Sequence, residues 1–316
     1  MRPTAAGILA AARLIAPHSA AAPLVRSPLL SDEYQCEMFV KNETASPIAS
    51  FKWRGALTAV LRETRASRGV VTASTGNHGQ GVAWAAGVAG VTAHVFLPRQ
   101  ANPAKRRKIE LLGATIHDRD GDLDAVKEVA LAFARERGLL FVDDGESRDV
   151  IEGAGTVGLE IAAGMEEPPD LVFVPMGSGS LAAGVAIAVK QKHAARVVAV
   201  QSSGAPAMAE SFRAGKAVER PAETVADGLI CRIPARLALD SLLQYVDECM
   251  TVSDQEILAA GRETAAMAHL LVEPAGAAAL AAAAKRRHDL AGKRVVLIAT
   301  GANLTGSVLR RMICDG

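Results

Sequence analysis

The chain has 316 residues, half of them hydrophobic, with 22% charged residues and a formal net charge of +1. That much apolar material builds one large core or two smaller ones, so one or two domains are expected. With no basic excess to neutralise phosphates and only 3% aromatics, composition argues against a nucleic-acid partner.

The N-terminal segment carries Arg2 and an apolar run from Ala5 to Ala12, which mimics a weak signal peptide. Arg13 interrupts it, and an amphipathic helix with Ile8, Ala12 and Ile15 on one face is expected instead. No stretch reaches the ~18 apolar residues that a membrane span needs. Strands are predicted at 38–41, 70–73, 92–97, 115–117, 140–142, 171–175, 197–201, 248–252 and 295–299. Helical stretches fall at 81–88, 103–112, 122–137, 181–192 and 254–268. Several strands are continuous apolar runs, the mark of parallel strands covered on both faces. The alternation predicts an open, mostly parallel α/β sheet with ligands at the carboxyl ends of strands. The run Lys105-Arg106-Arg107-Lys108 reads as the solvated face of a helix beginning at Pro103, with Ile109 and Leu112 turned inward. Residues 143–147, Asp-Asp-Gly-Glu-Ser, form a plausible polar crossing between domains. The cysteines Cys36, Cys231, Cys249 and Cys314 form no CxxC and no zinc spacing; scattered reduced thiols in a cytoplasmic protein are expected.

Three loops carry chemistry. Ser50-Phe51-Lys52 precedes a helix starting near Lys52. A lysine at the positive end of a helix dipole is discouraged from holding its charge, which suits an amine for Schiff-base formation and proton transfer. Ser74-Thr75-Gly76-Asn77-His78 links a strand to an alanine-rich helix. Its hydroxyls, amide and free N–H groups favour an anion such as a carboxylate. His78 could act as a base or be held as a structural ring. Gly177-Ser178-Gly179-Ser180-Leu181-Ala182 also follows a strand, and two glycines with two hydroxyls at a helix start make a phosphate cradle. The same residues read as the dinucleotide pattern GxGxxA, but the next strand ends Val200-Gln201-Ser202-Ser203, without the acid that would hold a ribose. A phosphate monoester is favoured over NAD. A fourth segment, Thr300-Gly301-Ala302-Asn303, ends the last strong strand.

In this order and spacing the motifs resemble the fold-type II pyridoxal-phosphate enzymes, the family of threonine and serine dehydratases and serine racemases. Glu43, Pro47, residues 50–52, 74–78, 153–156, 226–228, 272–277 and 300–303 carry the resemblance over nearly the whole chain. It implies a tryptophan synthase β-like fold of two open, twisted, mostly parallel α/β domains with the active site between them. Residues 1–69 and 146–316 would form a large cofactor-binding domain, and 70–145 a small one. The cofactor would be pyridoxal 5'-phosphate. Lys52 would hold it as a Schiff base, with Phe51 behind the ring. Gly177, Ser178, Gly179, Ser180 and Leu181 would bind its phosphate, Asn77 its ring hydroxyl and Thr300 its pyridine nitrogen. Ser74, Thr75, Gly76 and His78 would grip the substrate carboxylate. Gly228 and Glu273 would line the site.

A neutral Thr300 hydroxyl stabilises a pyridinium less than a carboxylate does, so prompt loss of a β-hydroxyl after Lys52 removes the α-proton fits better than transamination. The resemblance therefore implies a cytoplasmic, homodimeric ammonia-lyase acting on a small β-hydroxy amino acid such as threonine or serine; 3-hydroxyaspartate and phenylserine stay open. Thr75 stands where racemases place a second acid–base hydroxyl, which keeps racemisation in view. A noncatalytic binding protein and a nicotinamide oxidoreductase are the readings from other classes. The chain departs from the family at Ile48 and Ala49, and at Ser178 and Ser180, where many members have glycine. Gln201 and Ala207 replace the carboxylates of metal-dependent members, so no metal requirement is expected. About sixteen residues follow Thr300, so the regulatory domain of biosynthetic threonine dehydratases and its feedback by isoleucine are not expected.

Overall fold

The computed structural model describes residues 1–63 and 68–314. In chain order its strands are β1 (Leu24–Arg26), β2 (Glu37–Asn42), β3 (Val70–Ala73), β4 (Ala93–Pro98), β5 (Thr115–Arg119), β6 (Leu140–Phe141), β7 (Leu171–Pro175), β8 (Arg196–Ser202), β9 (Glu248–Val252) and β10 (Arg294–Ala299). The α-helices are α1 (Ala5–Ile15), α2 (Pro28–Glu33), α3 (Lys52–Arg62), α4 (Asn77–Ala89), α5 (Pro103–Leu111), α6 (Leu123–Arg137) and α7 (Arg148–Gly164). They continue with α8 (Ser180–Val189), α9 (Ala207–Ala214), α10 (Arg236–Tyr245), α11 (Asp254–Met267), α12 (Pro274–Lys285) and α13 (Gly306–Cys314).

Two sheets result. The larger has the order β1-β2-β10-β7-β8-β9 and the smaller β5-β4-β3-β6. Among the described residues every pairing between these strands is parallel except the edge pair, where Leu24 of β1 lies opposite Lys41 of β2. Why the central strands are apolar throughout is visible in β7. Leu171 and Phe173 pack with Val295, Leu297 and the alanines of α12, while Val172 and Val174 pack with α7 and α8 on the opposite face. Alternate side chains of one strand thus fill two cores, as a strand period of two requires.

Beneath α3 lies a buried charge network. The Arg54 guanidinium donates to Glu43 at 2.8 and 3.0 Å, to Glu160 at 2.6 and 2.9 Å, and to the Thr156 hydroxyl at 2.9 Å. Lys41 Nζ joins Glu160 at 2.5 Å. A buried charge is costly unless paired and hydrogen-bonded on all sides, and this one is. The network ties α3 to the end of β2 and to α7.

Several boundaries differ from expectation. Helix α1 buries Ile8, Ala11 and Ile15, so Ala11 rather than Ala12 completes the inner face. The β1 edge strand is too short to announce itself. Helix α4 starts four residues before the expected position, at Asn77, despite two glycines in its first turns. Gly81 is required there: a Cβ would lie 2.9 Å from the Lys52 carbonyl oxygen. The basic run on α5 is only partly solvated. Ile109 is buried as expected, but Lys105 pairs with Asp227 and Lys108 donates to Asn303 at 2.9 Å, both on the side of the larger sheet. Among the described residues no helix is long and apolar enough to cross a membrane, and all four cysteines are free.

Candidate active site

The loops after β3, β6, β7 and β10 meet the start of α3 around one cavity of about 400 Å³. The site lies where parallel sheets offer their carboxyl ends. All fifteen residues singled out from the sequence line it: Phe51, Lys52, Ser74, Thr75, Gly76, Asn77, His78, Gly177, Ser178, Gly179, Ser180, Leu181, Gly228, Glu273 and Thr300.

Lys52 is the first residue of α3, whose N-cap is Phe51. The turn is laced to the loop after β10. The Phe51 N–H donates to the Thr300 carbonyl at 3.0 Å, and Ser50 bridges to Gly301. The side chain is 13% exposed, and its amine sits 5.0 Å from the centre of the Phe51 ring and contacts both carboxylate oxygens of Asp144 at 2.6 and 2.5 Å. Asp144 follows β6 within the polar segment that the sequence offered only as a crossing between domains. Burial opposes its ionisation, but the Lys52 ammonium and the His78 ring hold its carboxyl well below the usual range.

His78 is on the first turn of α4. One ring nitrogen, Nε2, reaches the Val142 carbonyl at 3.0 Å. The other, Nδ1, is buried without a hydrogen-bond partner among the described residues and lies 3.5 Å from Asp144 Oδ1. Asn77 donates to Glu273 Oε1 at 2.6 Å and accepts from Asn303 Nδ2 at 2.8 Å. Burial pushes the Glu273 carboxyl up, against the pull of Lys105 and the bond from Asn77. Asn303 also donates to the Ile48 carbonyl at 2.8 Å, so it fixes Asn77 to the lysine loop. The sequence assigns Asn303 no role; its one signal is an amide two residues past the Thr300-Gly301 pair.

The third loop ends in a helix start built to receive something. Gly179 caps α8 in the left-handed region, φ +94°, and supplies no side-chain cap. Ser180, Leu181 and Ala182 are buried. Their N–H groups have no carbonyl four residues back to meet, and a buried helix start without a cap needs an acceptor. Gly177 lets the loop close on its neighbour: a Cβ there would lie 2.6 Å from the Gly228 carbonyl oxygen. Ser178 Oγ reaches the Asp144 carbonyl at 3.4 Å, joining the helix start to the amine's partner.

The family model for pyridoxal-phosphate dependent enzymes matches residues 15–301. The chain belongs to that family. The residues present suit the cofactor: an amine, an uncapped and buried helix N-terminus for a dianion, and an orphaned ring nitrogen share one cavity. Among relatives of this family member is the L-threonine ammonia-lyase of Thermotoga maritima. It is 36% identical over 299 residues, which cover 93% of this chain and 74% of that one. Two solved structures agree in fold. The T.th. threonine deaminase has a TM-score of 0.90 at 34% identity, covering 96% of this chain and 99% of its own. Maize serine racemase has a TM-score of 0.92 at 29% identity, covering 100% and 98%. The mostly parallel α/β architecture is thus that of fold-type II pyridoxal-phosphate enzymes.

Proposed function

We propose that this family member removes water and then ammonia from a small β-hydroxy amino acid of the threonine or serine type, giving a 2-oxo acid. The observation that carries the reading is the Lys52 amine in the same cavity as the uncapped start of α8. Bound pyridoxal phosphate supplies an electron sink for the bonding pair at the substrate's Cα. Lys52 would hold it, and the same amine would take the α-proton. The N–H groups of Gly177 to Leu181 receive the phosphate, with the Ser178 and Ser180 hydroxyls at hand. Phe51 would back the ring, Asn77 would meet the ring hydroxyl and Thr300 the ring nitrogen. Ser74, Thr75, Gly76 and His78 receive the substrate carboxylate at the start of α4. Gly228 and Glu273 complete the wall.

The division into a large unit, 1–69 with 146–316, and a small one, 70–145, belongs to the same proposal. It is supported by β3 to β6 forming a sheet of their own. Residues 64–67 and 315–316 of the large unit lie outside the described residues. A homodimer in the cytoplasm completes it.

The test is a panel of D- and L-serine, L-threonine, 3-hydroxyaspartate and phenylserine, followed for 2-oxo acid and for the opposite enantiomer. Release of 2-oxo acid from threonine or serine is expected. No 2-oxo acid from any member ends the reading. A second reading, racemisation, draws on the Thr75 hydroxyl in the same cavity and on the likeness to maize serine racemase; it gains if enantiomer forms faster than 2-oxo acid.

A further inference from the structure

We propose that Asp144 carries protons from an incoming amino-acid ammonium to Lys52 while the two nitrogens exchange places at the carbon that Lys52 holds. This rests on the function proposed above and adds a named acid–base group to it.

Three observations converge. First, the geometry is specific: both oxygens of Asp144 lie within 2.6 Å of Lys52 Nζ. Second, the turn that presents it is clamped. Asp143 accepts from the N–H groups of Gly145 and Glu146, each at 2.8 Å, and pairs with Lys127 at 2.5 Å. Glu146 accepts from the Arg236 and Leu237 N–H groups at the start of α10. A carboxylate set on a turn fixed at both flanks stays where the reacting nitrogens must pass. Third, its side chain is 29% exposed and faces the cavity, so a ligand reaches it.

The charges supply the chemistry. Asp144 answers the Lys52 ammonium directly. Once Lys52 is covalently engaged its nitrogen keeps one of its three N–H donors, so Asp144 has acceptor capacity free for a proton of the incoming ammonium. The substrate arrives as an ammonium and must lose a proton before it can attack. The exchange balances as follows. The bond from carbon to the substrate nitrogen forms and the bond to the Lys52 nitrogen breaks. The substrate nitrogen sheds two protons, the Lys52 nitrogen gains two, and net charge is unchanged. Asp144 takes them one at a time and is a carboxylate before and after. The buried His78 Nδ1, 3.5 Å away, lies against the same carboxylate from α4.

The experiment uses the cofactor-loaded protein and L-alanine, which offers the same α-ammonium to exchange with Lys52 but has no β-hydroxyl to lose. The visible absorbance of the cofactor is followed by stopped flow. Asp144→Asn is expected to load cofactor with wild-type stoichiometry yet exchange about 10²-fold more slowly, the size of a lost general acid–base group. Asp144→Glu should recover at least tenfold of that loss, and added formate should accelerate Asp144→Ala at least threefold, which a merely structural residue does not allow. Exchange by Asp144→Asn within threefold of wild type overturns the proposal; so does equal slowness of the Asn and Glu variants with no effect of formate on Asp144→Ala. If Asp144→Asn fails to fold, Asp144→Ser is read by the same criteria. Normal exchange with alanine but no 2-oxo acid from threonine defeats the function while leaving this role intact; a wild-type rate of exchange in Asp144→Asn, beside ready dehydration by wild type, defeats this role alone.

Discussion

Lys52 and Arg54 stand two residues apart on the first turn of α3, and they have opposite fates. Residues at that spacing point about 200° apart around a helix, so one meets the cavity and the other the core. Arg54 is 1% exposed and saturated by two carboxylates and a hydroxyl. Lys52 meets one carboxylate that is itself open to the cavity. The contrast teaches that charge type does not separate a reagent from a scaffold. What separates them is how many partners are fixed in advance and whether a ligand can displace them.

The sharpest way to break the comparison is to remove each cation in turn. Lys52→Ala should lower turnover by about 10³-fold or more and abolish the visible cofactor band, while denaturant unfolding stays near that of wild type. Arg54→Ala should do the reverse to the scaffold. It leaves Glu43 buried with Lys41 Nζ, 3.8 Å away, as its remaining partner among the described residues, a loss of roughly 3 kcal/mol in unfolding free energy. If both variants lose stability equally, the distinction drawn here is wrong.

A finer test titrates the scaffold. Burial raises the Glu160 carboxyl, but Arg54 and Lys41 outweigh it and hold it below its ordinary range. Its stabilisation is therefore full above the unfolded value of about 4.3 and is lost as pH falls through the lower folded value. Glu160→Gln should unfold about 1–2 kcal/mol more easily at pH 7, and the gap should close below about pH 4. Unfolding curves across pH check this, and a gap that widens in acid contradicts the assigned partners. The smallest effect is expected for Gly177→Ala, in which the new methyl must push against the Gly228 carbonyl. Cofactor affinity should fall about tenfold in equilibrium titration, with Lys52 still able to react.

Much of the site was legible because its parts are local. A strand, a run of glycine and hydroxyl residues and an alanine-rich helix occupy ten or so consecutive positions, and helix physics then dictates an anion site. Asp144 was not legible. Its partner is 92 residues away, and an aspartate in a polar turn carries no signal beyond turn formation. Lys105 and Lys108 were misread for the same reason: charge on a helix suggests water until the partner across the cavity is known. Helix α12 was missed because its residues are buried on all sides, so no amphipathic period marks it. The early start of α4 was hidden by Gly79 and Gly81, whose low helix propensity is overridden by packing.

The contact between Gly81 and the Lys52 carbonyl has a mechanical consequence. Helix α3 shares its apolar core with α4, β3 and β4, and at Gly81 the two helices come so close that no side chain fits between them. A methyl at position 81 would press on the carbonyl of the very residue that carries the amine. The nitrogen's place is therefore set from behind by a neighbouring helix as well as from in front by its carboxylate partner.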